Sequence, residues 1–215
     1  RFEYAGASGG YVDYLGYPFC RGRILRTVER DEGQYDDERD VFWVSGAAFC
    51  CRASVFHALG GFDADFFAHM EEIDLCWRMQ LAGWRVRIVP QSSVYHLGGG
   101  TLTADSPAKV FYNHRNNLAM LYKCAAPGQR LLAAVVRPWL DLLAALSYLA
   151  QGRYDNFRAV FRAWRDFLKW HPALVAKRRA VSKSRVPQPC VRIFRGSVLL
   201  RYFLGRRTFG NLMEK

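Results

Sequence analysis

No two of the six cysteines are spaced as CxxC, and no Cys/His cluster has zinc spacing. That excludes a zinc ribbon and a thioredoxin-like redox pair. Cys20, Cys50, Cys51, Cys76, Cys124 and Cys190 read instead as reduced, mostly buried thiols of a cytoplasmic protein. There is no internal repeat, and no basic start followed by a short apolar core that would mark a signal peptide. Calcium-loop spacing is missing from the acidic stretch 29–40, which reads as a solvated, turn-rich loop. Acid is scarce after residue 110. Residues 1–110 carry 11 basic and 15 acidic side chains, whereas residues 111–215 carry 20 basic and only 4 acidic ones. Such a basic half suits a polyanion or an anionic membrane face.

What is present is ample core material. The chain has 215 residues, 51% of them apolar and 15% aromatic, which excludes a disordered tail, a collagen and a disulfide mini-protein. It begins at Arg1, and we expect it to be part of something longer. Residues 1–25 are rich in glycine and aromatics and predict short strands and loops. Val41–Cys51 fits a buried strand with close backbone approach at Gly46, and Ala53–Leu59 a short helix stopped by Gly60-Gly61. Residues 71–82 predict a helix, with Ile73, Trp77 and Leu81 on one face and Gly83 ending it. Trp84–Val89 and Ser93–Leu97 predict strands.

Beyond them, residues 107–123, 130–150 and 153–170 predict helices. Tyr154, Phe157, Phe161, Trp164 and Leu168 recur at helical spacing in the last of these. The longest uncharged run, Leu142–Gly152, is too short to cross a bilayer, and 131–149 reaches the needed length only by including Arg137 and Asp141. We therefore expect interfacial helices, each basic residue near an anionic leaflet contributing about 1 kcal/mol. Ordinary packing of these helices on the first half is the competing reading.

Two places carry chemistry. Glu71-Glu72-Ile73-Asp74 opens a helix, where the helix dipole alone favours carboxylates. Crowding of those acids also raises their pKa toward the range of a general base. His96 ends a predicted strand before three glycines, at a position where α/β sheets bind ligands and where imidazole serves as a metal ligand.

One ordered series links these pieces. Ser45-Gly46-Ala47-Ala48 with Arg52, then Gly60-Gly61-Phe62-Asp63 with Phe66-Phe67, then Glu71 to Arg78, Ala82-Gly83-Trp84, Val89-Pro90 and Tyr95-His96 follow in turn. Over about residues 41–100 this resembles the C-terminal half of the catalytic domain of family 2 glycosyltransferases, the inverting enzymes with a GT-A fold. Tyr112-Asn113-His114-Arg115-Asn116 resembles the segment that follows in bacterial envelope members.

The resemblance implies an α/β chain, namely a partial GT-A (nucleotide-diphospho-sugar transferase) domain over 1–124 followed by a basic amphipathic helical region over 125–215. It implies Glu72 as catalytic base, at a position where the family more often has Asp, with Glu71 and Asp74 as supports or alternatives. It places Ser45, Gly46, Ala47, Trp43 and Asp63 along the acceptor pocket and His96 on a divalent metal (Mg²⁺ or Mn²⁺). Asp63-Ala64-Asp65 has the spelling of a metal motif but follows the Ser-Gly-Ala strand, so it is read as acceptor-side loop. The family's N-terminal half carries the donor site and most of the metal's ligands, and we expect a chain lacking it to be inactive alone. The implied partners are a nucleotide-sugar donor, a glycan or lipid-linked acceptor and the anionic inner face of the plasma membrane, with no nucleic acid. The alternative is a non-catalytic sugar- or lipid-binding module of the same ancestry.

Overall fold

The computed structural model describes residues 2, 8–94, 96 and 106–214. Its elements run β1 (Gly10–Asp13), β2 (Pro18–Cys20), β3 (Arg23–Ile24), β4 (Thr27–Val28), β5 (Arg39–Val41), α1 (Ala53–Ala58) and α2 (Glu71–Leu81). They continue with β6 (Val86–Ile88), α3 (Pro107–Cys124), α4 (Pro127–Ala150), α5 (Tyr154–Ser184), β7 (Ile193–Phe194), α6 (Val198–Phe203) and α7 (Phe209–Met213). The chain is thus mixed α/β, in keeping with a GT-A-like domain. It forms two compact units, one of Arg1–Gly61, Leu75–His96 and Arg185–Lys215, the other of Phe62–Asp74 and Leu97–Ser184.

The sheet unit is discontinuous in sequence, and β7 shows why. In the sheet unit, strands lie in the order β4-β3-β2-β1-β7, and β7 pairs parallel to β1 with Val12 opposite Ile193. The last thirty residues therefore complete a sheet begun by the first thirty. Asp13 fastens this return: its buried carboxylate accepts from Leu15 N, Tyr17 N and Val198 N. A second, antiparallel pair joins β5 to β6. Gly10 is required where the two meet, because a Cβ there would lie 2.0 Å from Trp43 Cε2. Tyr11, Phe19, Tyr35 and Phe209 pack ring against ring, and Phe42 meets Trp77 edge-on.

Two strand expectations need correction. The expected strand Val41–Cys51 stops at Val41, apart from a bridge at Trp43; Ser45 then caps a 3₁₀ turn, Gly46–Ala48. Small residues without a hydrophobic face cannot hold an extended run there. Ser93, Val94 and His96 lie in no strand, and Tyr95 and Leu97 fall outside the described residues.

In the helical unit, Ser106 Oγ accepts from Lys109 N at 3.3 Å and Pro107 takes the first helical position, where a missing N–H costs nothing. Val110 of α3, Ala145 of α4, and Ala159 and Val160 of α5 form a shared core, with Phe157 and Trp164 packed on it. The aromatic stripe of α5 is therefore split between core and solvent, with Phe157 and Trp164 on the core and Tyr154, Phe161 and Leu168 exposed. Helix α5 also runs beyond residue 170 and through Pro172, because Leu174 and Val181 continue to bury the same side.

Helix α4 is polar inside. Gln129, Arg137 and Asp141 lie on its buried face. Arg137 donates to Asn117 Oδ1 and pairs with Asp141 at 3.3 Å, and Trp164 Nε1 donates to Asp141 at 2.9 Å.

Candidate active site

The acidic cluster follows a loop with an unusual backbone. Phe67, His69 and Met70 all adopt positive φ, at 61°, 66° and 72°. Each left-handed non-glycine residue costs about 1 kcal/mol, so the loop persists only if its surroundings fix it. Asn116 of α3 does so. Its side-chain amide donates to Phe66 O at 2.9 Å, Ala68 O at 2.9 Å and His69 O at 2.8 Å, sharing two hydrogens among three carbonyls. Arg115 donates to Asp65 O at 2.9 Å and orients Asn116 by donating to its Oδ1 at 2.9 Å. Its guanidinium is itself sandwiched against the Phe111, Tyr112 and Trp170 rings.

The loop delivers Glu71 and Glu72 to the first turn of α2. Each side chain is partly buried, and each Oε2 is buried with no hydrogen-bond partner among the described residues. The helix dipole favours the ionised form here. Burial outweighs it at Glu72 and, with the charge of Glu71, pushes its pKa up to about 7. Burial raises Glu71 as well. This unit therefore holds a carboxylate poised to titrate near neutrality.

Asp74, one turn further, serves differently. It is fully buried, and Lys123 Nζ lies 2.9 Å from its Oδ1 and 2.6 Å from Asp63 Oδ2. Lys177 pairs with Asp63 and sits 2.6 Å from Asp65 Oδ2. Burial alone would lower the Lys123 pKa; Asp74 and Asp63 outweigh burial and raise it. Asp63 stays below the usual carboxylate range, because Lys123 and Lys177 outweigh its own burial.

The structure thus brings Glu71, Glu72, Asp74 and Asp63 into the helical unit. Trp43, Ser45, Gly46, Ala47 and His96 belong to the sheet unit. There Trp43 is a core residue whose Nε1 donates to Tyr11 O at 3.0 Å. Ser45 Oγ accepts from Ala47 N at 3.3 Å, and Gly46, Ala47 and His96 are exposed.

Sequence reasoning placed Asn116 in a family-like segment without giving it a role, and missed Lys123 and Lys177. Paired Asn116-Asn117 inside a helix was the available signal, since asparagine is a poor helix former unless its side chain is used elsewhere. Nothing local marks Lys123.

As for a divalent cation, among the described residues no three His, Cys, Asp or Glu side chains gather closely enough to hold one. Asp63 and Asp65 face lysines. These side chains do not fit the metal.

Comparison with known proteins bears on what such a carboxylate would do. Residues 27–154 match the family model described as glycosyl transferase family group 2. The chain is similar to the N-acetylglucosaminyl-diphospho-decaprenol L-rhamnosyltransferase of Mycobacterium tuberculosis, with 34% identity over 113 residues, 53% of this chain and 36% of that protein. It is similar to the rhamnosyltransferase WbbL of Escherichia coli, with 41% identity over 73 residues, 34% of this chain and 27% of that protein. A third relative is the pre-mycofactocin glycosyltransferase of Mycobacterium tuberculosis, 43% identical over 72 residues, 34% of this chain and 15% of that protein. The chain spans about a third or less of the length of these relatives. No solved structure matches it.

Proposed function

The chain belongs to glycosyl transferase family group 2, and from that premise we propose that this protein takes part in transferring a sugar from a nucleotide-sugar donor to a hydroxyl of a cell-envelope acceptor, with inversion. The rhamnosyl activity in the names of two relatives favours a deoxyhexose donor, and the diphospho-decaprenol in one of them favours a lipid-linked acceptor. The observation that carries the reading is Glu72: a carboxylate at a helix start with a buried oxygen unpartnered among the described residues, its pKa pushed up to about 7.

A general base works best when its pKa lies near the working pH, strong enough to take a proton yet free of it in a large fraction of molecules. Glu72 meets both conditions. In the proposed step the acceptor hydroxyl oxygen forms its bond to the anomeric carbon as its proton passes to a Glu72 oxygen. The bond from that carbon to the diphosphate breaks, and the nucleoside diphosphate leaves with the electron pair. Glu71 raises the basicity of Glu72 by its charge. The Asp63–Lys123–Asp74 array and Asn116 hold the loop and the helix start that aim the base. The basic half suits an anionic membrane surface on the side where nucleotide sugars are made.

The test is nucleoside diphosphate release by the full-length enzyme over a panel of sugar nucleotides. Glu72→Gln should lower release by about a hundredfold or more while donor binding persists. Unchanged release in this variant would overturn the assignment.

A further inference from the structure

Helix α4 has its polarity inverted. A helix at the surface of a water-soluble protein turns its apolar stripe inward and its charges outward. Here Gln129, Arg137 and Asp141 are inward and buried. The outward face carries Leu131, Val135, Trp139 and Leu143, which are 69%, 60%, 67% and 62% exposed. No charged residue stands on that face between Leu131 and Ala150. The two charges in the stretch compensate each other and are further satisfied by Asn117 and Trp164. Everything that would oppose entry into hydrocarbon has been turned away from it.

Length and composition suit α4 to cross a membrane: 24 residues with a mean hydropathy of 1.4, about 36 Å at 1.5 Å per residue against a core of about 30 Å. Its neighbour forbids that pose. Helix α5 packs along α4 in the same unit, and its exposed Arg158, Arg162, Arg165 and Lys169 would be carried to membrane depth. With α4 lying flat, these charges stay on the water side. The occupant of the face follows from charge. The helical unit, residues 62–74 and 97–184, holds 14 Lys/Arg against nine Asp/Glu, a net positive balance that repels a second copy and attracts anionic lipid.

We propose that α4 is an in-plane membrane anchor: its outward Leu/Val/Trp face is embedded in the headgroup–acyl boundary of an anionic bilayer, with α3 and α5 on the aqueous side. The proposal deepens the membrane-surface part of the functional reading and rests on it, but it is tested separately. Full-length protein is floated with vesicles of phosphatidylcholine containing a minority of phosphatidylglycerol. Val135→Asp with Leu143→Asp, both at exposed positions, should keep the circular dichroism of the wild type and lower the bound fraction about tenfold or more. Trp139 stands at the midpoint of α4, so bromines near the headgroup should quench it better than bromines near the chain end. That difference should vanish in Trp139→Phe. Undiminished flotation of the double variant overturns the proposal, as does stronger quenching by the deep bromines, the mark of a span. So does a wild type that ignores vesicles and forms a dimer that the double variant breaks. Glu72→Gln should float like wild type. Unchanged release with Glu72→Gln sinks the transferase reading alone, and unchanged flotation of the double variant sinks the anchor alone.

Discussion

Replacing Glu72 by Gln should make the protein more stable while disabling it. In the unfolded chain this carboxyl titrates near its ordinary value of 4.5, and in the folded protein at about 7. Below pH 4.5 both states are protonated and Glu72 contributes nothing to the pH dependence. Between 4.5 and 7 the unfolded state releases its proton and the folded state keeps it, so stability falls as pH rises. Above 7 the loss is complete. At about 1.36 kcal/mol per pH unit the gap amounts to about 3 kcal/mol. Glutamine has the size of the protonated acid and does not ionise. Urea unfolding of wild type and Glu72→Gln should therefore give similar free energies at pH 4. Their difference should grow to about 3 kcal/mol in favour of Gln by pH 8. The same titration governs catalysis with opposite sign, and kcat should rise through pH 7 as the base is freed. A difference that stays flat from pH 4 to pH 8 would refute the argument, because it would mean that Glu72 ionises in the folded state as readily as in water.

Other substitutions probe the supports. Asn116→Ala strands three loop carbonyls and should cost about 2–3 kcal/mol in urea unfolding, with a larger loss in kcat than in donor affinity. Lys123→Met leaves Asp74 buried without its cation and should cost about 3–5 kcal/mol at neutral pH. That cost should shrink at low pH as Asp63, held below the usual carboxylate range by Lys123 and Lys177, takes up its proton, which a pH series of thermal melts would show. Gly10→Ala places a methyl inside the Trp43 indole, and little soluble protein should be recovered.

The sequence disclosed helices better than it disclosed partners. Helices α2 and α3 were legible because their signals are local: Gly83 after the last turn, and Ser106-Pro107 before the first. The 71–74 acid cluster was legible as a candidate because crowded carboxylates are visible in the sequence. What was not legible is the burial that singles out Glu72, since desolvation is set by packing that no local sequence pattern encodes. Lys123 is the plainest case. A lysine in a helix reads as solvated, and its burial depends on Asp63 and Asp74, some sixty and fifty residues upstream. Pairing of β7 with β1 likewise joins Val12 to Ile193, and two-residue strands carry no periodicity to detect. Helix α4 shows a further limit. Its pattern contains both an apolar and a polar stripe, and the sequence does not say which one turns inward.

The return of β7 to β1 also sets an order of events during synthesis. Residues of the helical unit are all available once Ser184 has left the ribosome, whereas the sheet unit still waits for β7, the Asp13 contact to Val198 and the Phe209 ring. Domains tend to fold as units as they emerge. The strands made before the helical unit thus finish folding after it, and the nascent chain must keep Tyr11 and Phe19 from other partners until Phe209 has emerged.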